Sequence, residues 1–143
     1  MKSLLTICLL TIGTFAWSQD IPVTWSIDSI EADGVTSLVI SADIDPTWKI
    51  YSRQTEEGGP IPMEIYFDTE ATLVDEYVEV QAPKTYHSDL FDMKVSTFVD
   101  KAVFHQVVGK YTPGTKVSAI VTFMTCNGKQ CLPPTDVELE ITL

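Results

Sequence analysis

Basic residues are scarce in this chain. Nine lysines and arginines stand against twenty aspartates and glutamates among 143 residues. Phosphate recognition needs clustered Lys and Arg, so no nucleic-acid partner is expected. The acidic residues are scattered rather than in blocks, which reads as solubility before it reads as steering of a basic partner. Histidine is scarcer still, with only His87 and His105. Neither lies at ligand spacing, and zinc needs about four ligands, so no metal and no other cofactor is expected. Helical periodicity, internal repeats and low-complexity segments are missing. Past residue 18, no apolar stretch approaches the ~20 residues of a membrane-spanning helix. No membrane span is expected in the mature chain.

What is present begins with an export signal. Lys2 supplies a positive start, Leu4 to Phe15 is apolar, and Ala16-Trp17-Ser18 is a small-x-small cleavage site. Residues 1–18 therefore read as a secretory signal peptide, and residues 19–143 as one domain long enough to bury a core. Removing Lys2 leaves eight basic against twenty acidic residues, a net of −12. Cys8 lies inside the apolar run and is given no role. The exported chain keeps two cysteines, Cys126 and Cys131, in a compartment where disulfides persist, with no odd thiol left over.

The rest of the chain reads as strand after strand. Val23, Trp25 and Ile27 alternate with polar residues, the period of a half-buried strand. Asp33-Gly34 is a turn before a β-branched strand over 35–44, which Asp45-Pro46 ends. A short strand over 48–52 precedes a loop, 56–62, whose two prolines and two glycines exclude regular structure. Extended runs follow over 63–68 and 72–81. Residues 86–92 are polar and aromatic without a period and read as a loop. Strands over 94–98, 102–108, 117–123 and 137–143 complete the count. About nine short antiparallel strands predict an all-β, immunoglobulin-like β-sandwich. The sequence ends with its last strand, so no linker to a further domain is expected.

The informative stretch is Thr125-Cys126-Asn127-Gly128-Lys129-Gln130-Cys131-Leu132-Pro133-Pro134. Asn-Gly is a strong hairpin signal, and alternating segments flank it. The two cysteines then face each other across a turn, at a separation a disulfide can bridge. Such a bond is either a structural clip or a working redox switch. Closing a loop of about six residues gains only ~2 kcal/mol, which makes a poor staple. The spacing is not Cys-x-x-Cys, and Pro133-Pro134 forbids a following helix to lower a cysteine pKa. A Cys-His hydrolase is weak, because the second cysteine has no role in it.

Three segments together resemble the N-terminal periplasmic domain of DsbD, the bacterial thiol:disulfide interchange protein. Residues 123–135, from Phe123 to Thr135, look like that family's active-site hairpin. His87-Ser88-Asp89-Leu90-Phe91-Asp92 is similar to its cap loop. Trp48-Lys49-Ile50-Tyr51-Ser52-Arg53-Gln54 resembles the aromatic segment beneath the active site. The resemblance implies an immunoglobulin-like fold with a redox-active Cys126–Cys131 pair, located in the periplasm. The pair would pass reducing equivalents to disulfide-containing periplasmic proteins. It would be re-reduced by a thioredoxin-like protein domain or a membrane reductant. By the same resemblance Cys131 attacks the substrate, Cys126 resolves, Phe91 is the cap and Tyr51 supports the site. Asp89 and Asp92 flank the cap and either raise a nearby cysteine's pKa or are solvated loop carboxylates. Lys49 stands where the family often has another tyrosine, and an ammonium there favours a thiolate. The membrane-spanning and thioredoxin-like parts have no counterpart here, so the electrons would come from a separate protein. The alternative is a non-enzymatic exported β-sandwich binding module with a structural hairpin disulfide; a third reading is an idle remnant of a longer protein.

Overall fold

Asp33 and Gly34 both adopt positive φ, 52° and 75°, the backbone of a tight two-residue hairpin turn. They join Val23–Ala32 (β1) to Val35–Ile44 (β2) in unbroken register from Val23↔Ile44 to Ala32↔Val35. The computed structural model describes residues 20–143. The expected signal peptide and Cys8 lie outside the described residues.

The remaining strands are Lys49–Tyr51 (β3), Glu64–Thr69 (β4), Leu73–Glu79 (β5), Lys84–Ser88 (β6), Met93–Phe98 (β7), Lys101–Val108 (β8), Lys116–Phe123 (β9), Thr125–Cys126 (β10) and Thr135–Thr142 (β11). They form three antiparallel sheets, ordered β1-β2-β8-β5, β10-β3-β7-β6 and β11-β9-β4, and no helix occurs among the described residues. The fold is all-β, an immunoglobulin-like sandwich, as expected. β9 of one sheet runs into β10 of another with only Met124 between them. One apolar core takes Leu38, Ile40 and Phe104 from the first sheet, Ile50 and Phe98 from the second, and Val121 and Phe123 from the third.

Two elements differ from the expectation of nine strands. Residues 84–88, partly expected as loop, form β6, which pairs on one side only, with β7. An edge strand with one wet side need not carry a clean apolar alternation, and Lys84, Thr85 and His87 are exposed. The second addition is β10, cut from β9 at Met124 as the chain changes sheets. Within β5 the pairing with β8 shifts between Val74 and Val78, and Asp75 turns to φ 56°. Buried Gln106 caps this bulge, its Nε2 donating to the carbonyls of Val74, Asp75 and Val107 at 3.0–3.3 Å.

Candidate redox site

Side chains alternate across a strand, so the passage from β9 to β10 divides its residues between two faces. Phe123 joins the main core, whereas Met124 and Cys126 join a second cluster on the other face. Tyr51, Val95 and Cys126 are its buried centre; Tyr86, Phe91, Met93, Met124 and Cys131 pack around them. Every sulfur of the cysteine pair thus sits in a small apolar cluster of its own, outside the core that holds the sandwich together.

Cys126 and Cys131 are disulfide-bonded, with Cα atoms 4.1 Å apart. Asn127 N–H donates to Gln130 C=O at 3.0 Å, and Leu132 N–H to Thr125 C=O at 2.9 Å. These two bonds bracket the cysteines, which are therefore the close, non-hydrogen-bonded type of antiparallel pair. The turn differs in detail from an Asn-Gly corner. Gly128 alone has positive φ, 85°, and Asn127 stands before it. The Asn127 Oδ1 accepts from both Lys129 N–H and Gln130 N–H at 3.0 Å, so the side chain closes the loop. Cys126 is 1% exposed, whereas Cys131 is only partly buried.

The segment expected to act as a cap is the tip of the β6–β7 hairpin. Ser88 pairs with Met93, and residues 89–92 cross between them, with Asp92 at φ 51°. Phe91 folds back onto Tyr51, ring centroids 6.0 Å apart and planes at 88°, an edge-to-face contact. His87 Nε2 and Asp92 Oδ1 meet at 3.3 Å across the base of the tip. A cleft of about 160 Å³ lies between this loop and the hairpin. Its walls are Lys49, Tyr51, Tyr86, the loop from His87 to Leu90, Cys126 and Gly128.

Lys49 is the direct cross-strand partner of Cys126, so the two side chains rise from the same face. Its Nζ donates to the Tyr86 hydroxyl at 2.9 Å. The same nitrogen is 5.3 Å from the Tyr86 ring centroid, so it approaches at the hydroxyl end, and the hydrogen bond governs the contact. Burial, reinforced by the neighbouring Tyr86, pushes the Tyr51 hydroxyl up to about 12, so this wall stays neutral.

Of the residues singled out in the sequence, Cys126, Cys131, Phe91, Tyr51 and Lys49 converge here. Asp89 reaches the cleft, while Asp92 lies off its walls and faces His87. Sequence reasoning missed Tyr86, Val95, Met93 and Met124, and it treated His87 as ordinary. The alternation Met93-Lys94-Val95 and the i−2 position of Met124 before Cys126 carried that signal. A larger groove, about 810 Å³ along β4, β9 and β11, has no cysteine or histidine on its walls.

Residues 21–142 match the family described as thiol:disulfide interchange protein DsbD, N-terminal. The chain belongs to the DsbD N-terminal family. Solved structures agree on the fold. The reduced DsbD N-terminal domain of Neisseria meningitidis is 16% identical, with a TM-score of 0.55, over 82% of this chain and 84% of that one. The N-terminal periplasmic domain of ScsB from Proteus mirabilis is 19% identical, with a TM-score of 0.59, over 83% of this chain but 44% of that one. The complex of the DsbD and PilB N-terminal domains from Neisseria meningitidis gives 14% identity and a TM-score of 0.58, over 83% and 86%. No curated protein matches the chain. At these identities the likeness to the solved structures is one of fold. Membership of the DsbD N-terminal family ties the chain to thiol:disulfide interchange. No helix among the described residues is long and apolar enough to cross a membrane.

Proposed function

We propose that the chain is an exported electron carrier working by thiol–disulfide exchange through Cys126 and Cys131. The observation that carries this reading is the separate apolar cluster in which Phe91, in edge contact with Tyr51, packs together with both cysteines; we read Phe91 as its lid. A clip has no use for a lid. A loop of about six residues also gains only ~2 kcal/mol from closure, so a structural role is poorly rewarded.

In the reduced protein, a thiolate at Cys131 attacks one sulfur of a partner disulfide. The partner's other sulfur leaves as a thiolate, and a mixed disulfide forms. Cys126, deprotonated, then attacks the Cys131 sulfur and releases the second partner thiolate. Two electrons pass to the partner, and the Cys126–Cys131 bond returns. The role of attacker falls to Cys131 because its surface is partly exposed, whereas Cys126 is 1% exposed. Lys49, opposite Cys126, favours the resolving thiolate. Phe91 must swing aside for either sulfur to meet a partner. Asp89 shares the cleft with Cys126, whereas Asp92 is turned to His87 at the base of the loop.

The reading takes residues 1–18 as a signal peptide, residues 19–143 as the working domain and the periplasm as its location. Its partners are proteins: periplasmic disulfide proteins accept the electrons, and a thioredoxin-like domain or membrane reductant supplies them. The complex of the DsbD N-terminal domain with the PilB N-terminal domain supports a protein-domain partner for this fold. The test is the equilibrium of the Cys126–Cys131 bond with glutathione. A carrier gives a potential a thioredoxin-like donor can reach, whereas a value below roughly −300 mV marks a structural bond and overturns the proposal.

A further inference from the structure

The loop from Glu56 to Pro62 is remote in sequence from both the cap and the cysteines, yet it lies against the cap. Gly59 is the point of contact. Its φ is not in the left-handed region, unlike that of Gly58 at 105°, so φ does not call for glycine at this position. The space beside it, however, is already occupied. A Cβ at position 59 would collide with Met93 Sδ and stand 3.5 Å from both Met93 Cγ and Phe91 Cβ.

The loop is held on both sides of Gly59. Ser52 N–H donates to Ser96 C=O at 2.8 Å. The Thr55 hydroxyl donates to the same carbonyl at 2.9 Å and accepts from Ser96 N–H at 3.1 Å. Pro60, the next residue after Gly59, is fully buried, and Met63 N–H is held by Tyr51 C=O at 2.9 Å. The yielding side is the Met93 thioether, a flexible chain at the base of the cap that shares this seat with Phe91.

We propose that Gly59 is a positioning residue, the seat on which Met93 and Phe91 rest when the cap closes over the cysteine pair. This rests on the capped-carrier reading. Filling the seat props the cap and shifts its population toward the open state, which exposes the disulfide to attack. The step affected is access, not the exchange chemistry.

The test measures the second-order rate constant for reduction of the oxidised protein by dithiothreitol. Gly59→Ala raises it about five- to tenfold, as a cap closed in all but a few per cent of molecules allows. Phe91→Ala sets the uncapped ceiling, and adding Gly59→Ala to that variant gives no further increase. The equilibrium constant with glutathione changes by less than about twofold in Gly59→Ala, because shielding slows both directions. If Gly59→Ala does not fold, Met93→Phe, which overfills the same gap from the cap side, carries the same expectation. An unchanged rate in a folded variant overturns the proposal. So does an equal gain in the Phe91→Ala background, which would mean general loosening. If Phe91→Ala accelerates reduction and the seat variants do not, only the seat is lost. If no variant accelerates it and the wild-type bond resists glutathione, the carrier reading has failed as well.

Discussion

Lys49 is paired across the strands with the cysteine least able to ionise by itself, and both line the same cleft. Cys126 is buried, and burial alone raises a thiol's pKa. A positive charge at cross-strand distance works the other way. Two unit charges ~5 Å apart in a medium of effective dielectric ~40 interact by ~1.7 kcal/mol, and the partial exposure of Lys49 reduces that further. Lys49→Met should therefore move the pH profile for alkylation of the reduced pair upward by roughly half to one unit. An unmoved profile would leave Lys49 with only its Tyr86 hydrogen bond. The tyrosines make a separate prediction at alkaline pH. Burial pushes both Tyr51 and Tyr77 up to about 12, from 10.0. Between these values the unfolded chain releases protons that the folded chain keeps, so stability falls as pH rises. It is intact below about 10 and drops by ~1.4 kcal/mol per pH unit for each ring until the folded hydroxyls ionise. Urea midpoints measured from pH 9 to 12 should show this slope, and Tyr51→Phe should remove about half of it.

The elements divide into those legible from pattern and those fixed by a tertiary neighbour. Asp33-Gly34 and the alternation of residues 117–123 were readable because each signal is local. The edge strand β6 was not, since its partner β7 supplies its only ladder and its exposed side chains carry no period. The pairing of Cys126 with Cys131 was legible from the hairpin signal itself, whereas Phe91, Tyr51 and Lys49 were singled out through motif resemblance. Gly59 and Met93 were invisible, because nothing in the loop's own residues says that a hairpin tip comes to rest there. The segment that leads into the same loop is anchored by one carboxylate. Glu79 accepts from the Ser52 hydroxyl at 2.7 and 2.9 Å, from Arg53 N–H at 3.1 Å and from Gln54 Nε2 at 2.7 Å. Bonds to a charged acceptor contribute ~1.5–3 kcal/mol in favourable cases, and this site is partly exposed. Glu79→Ala should cost ~2 kcal/mol in urea unfolding, and it should also speed reduction of the disulfide by loosening the seat of the cap. A loss below ~0.5 kcal/mol would mean that the Ser52–Ser96 and Thr55–Ser96 bonds hold the loop without it.

A carrier must be the same molecule in both redox states, and the whole fold bears on whether this one is. The core that joins the three sheets contains neither cysteine; Cys126 belongs to the separate cluster under the cap. The bond closes only the turn from Cys126 to Cys131, and that turn is already held by Asn127 Oδ1 and by the two backbone bonds bracketing the pair. Part of the closure entropy is therefore lost with or without the bond, so ~2 kcal/mol is its upper limit. By linkage, the fold can make the disulfide harder to reduce, relative to the unfolded chain, by no more than that amount, about 45 mV for a two-electron couple. Urea unfolding followed with and without excess dithiothreitol should give midpoints corresponding to a difference of at most ~2 kcal/mol, with equal slopes, because both states bury the same core. Replacing both cysteines with serine should reproduce the reduced curve and abolish exchange. A reduced protein that unfolds, or that loses more than ~4 kcal/mol, would make the bond a staple, since a domain that collapses on taking up electrons cannot deliver them.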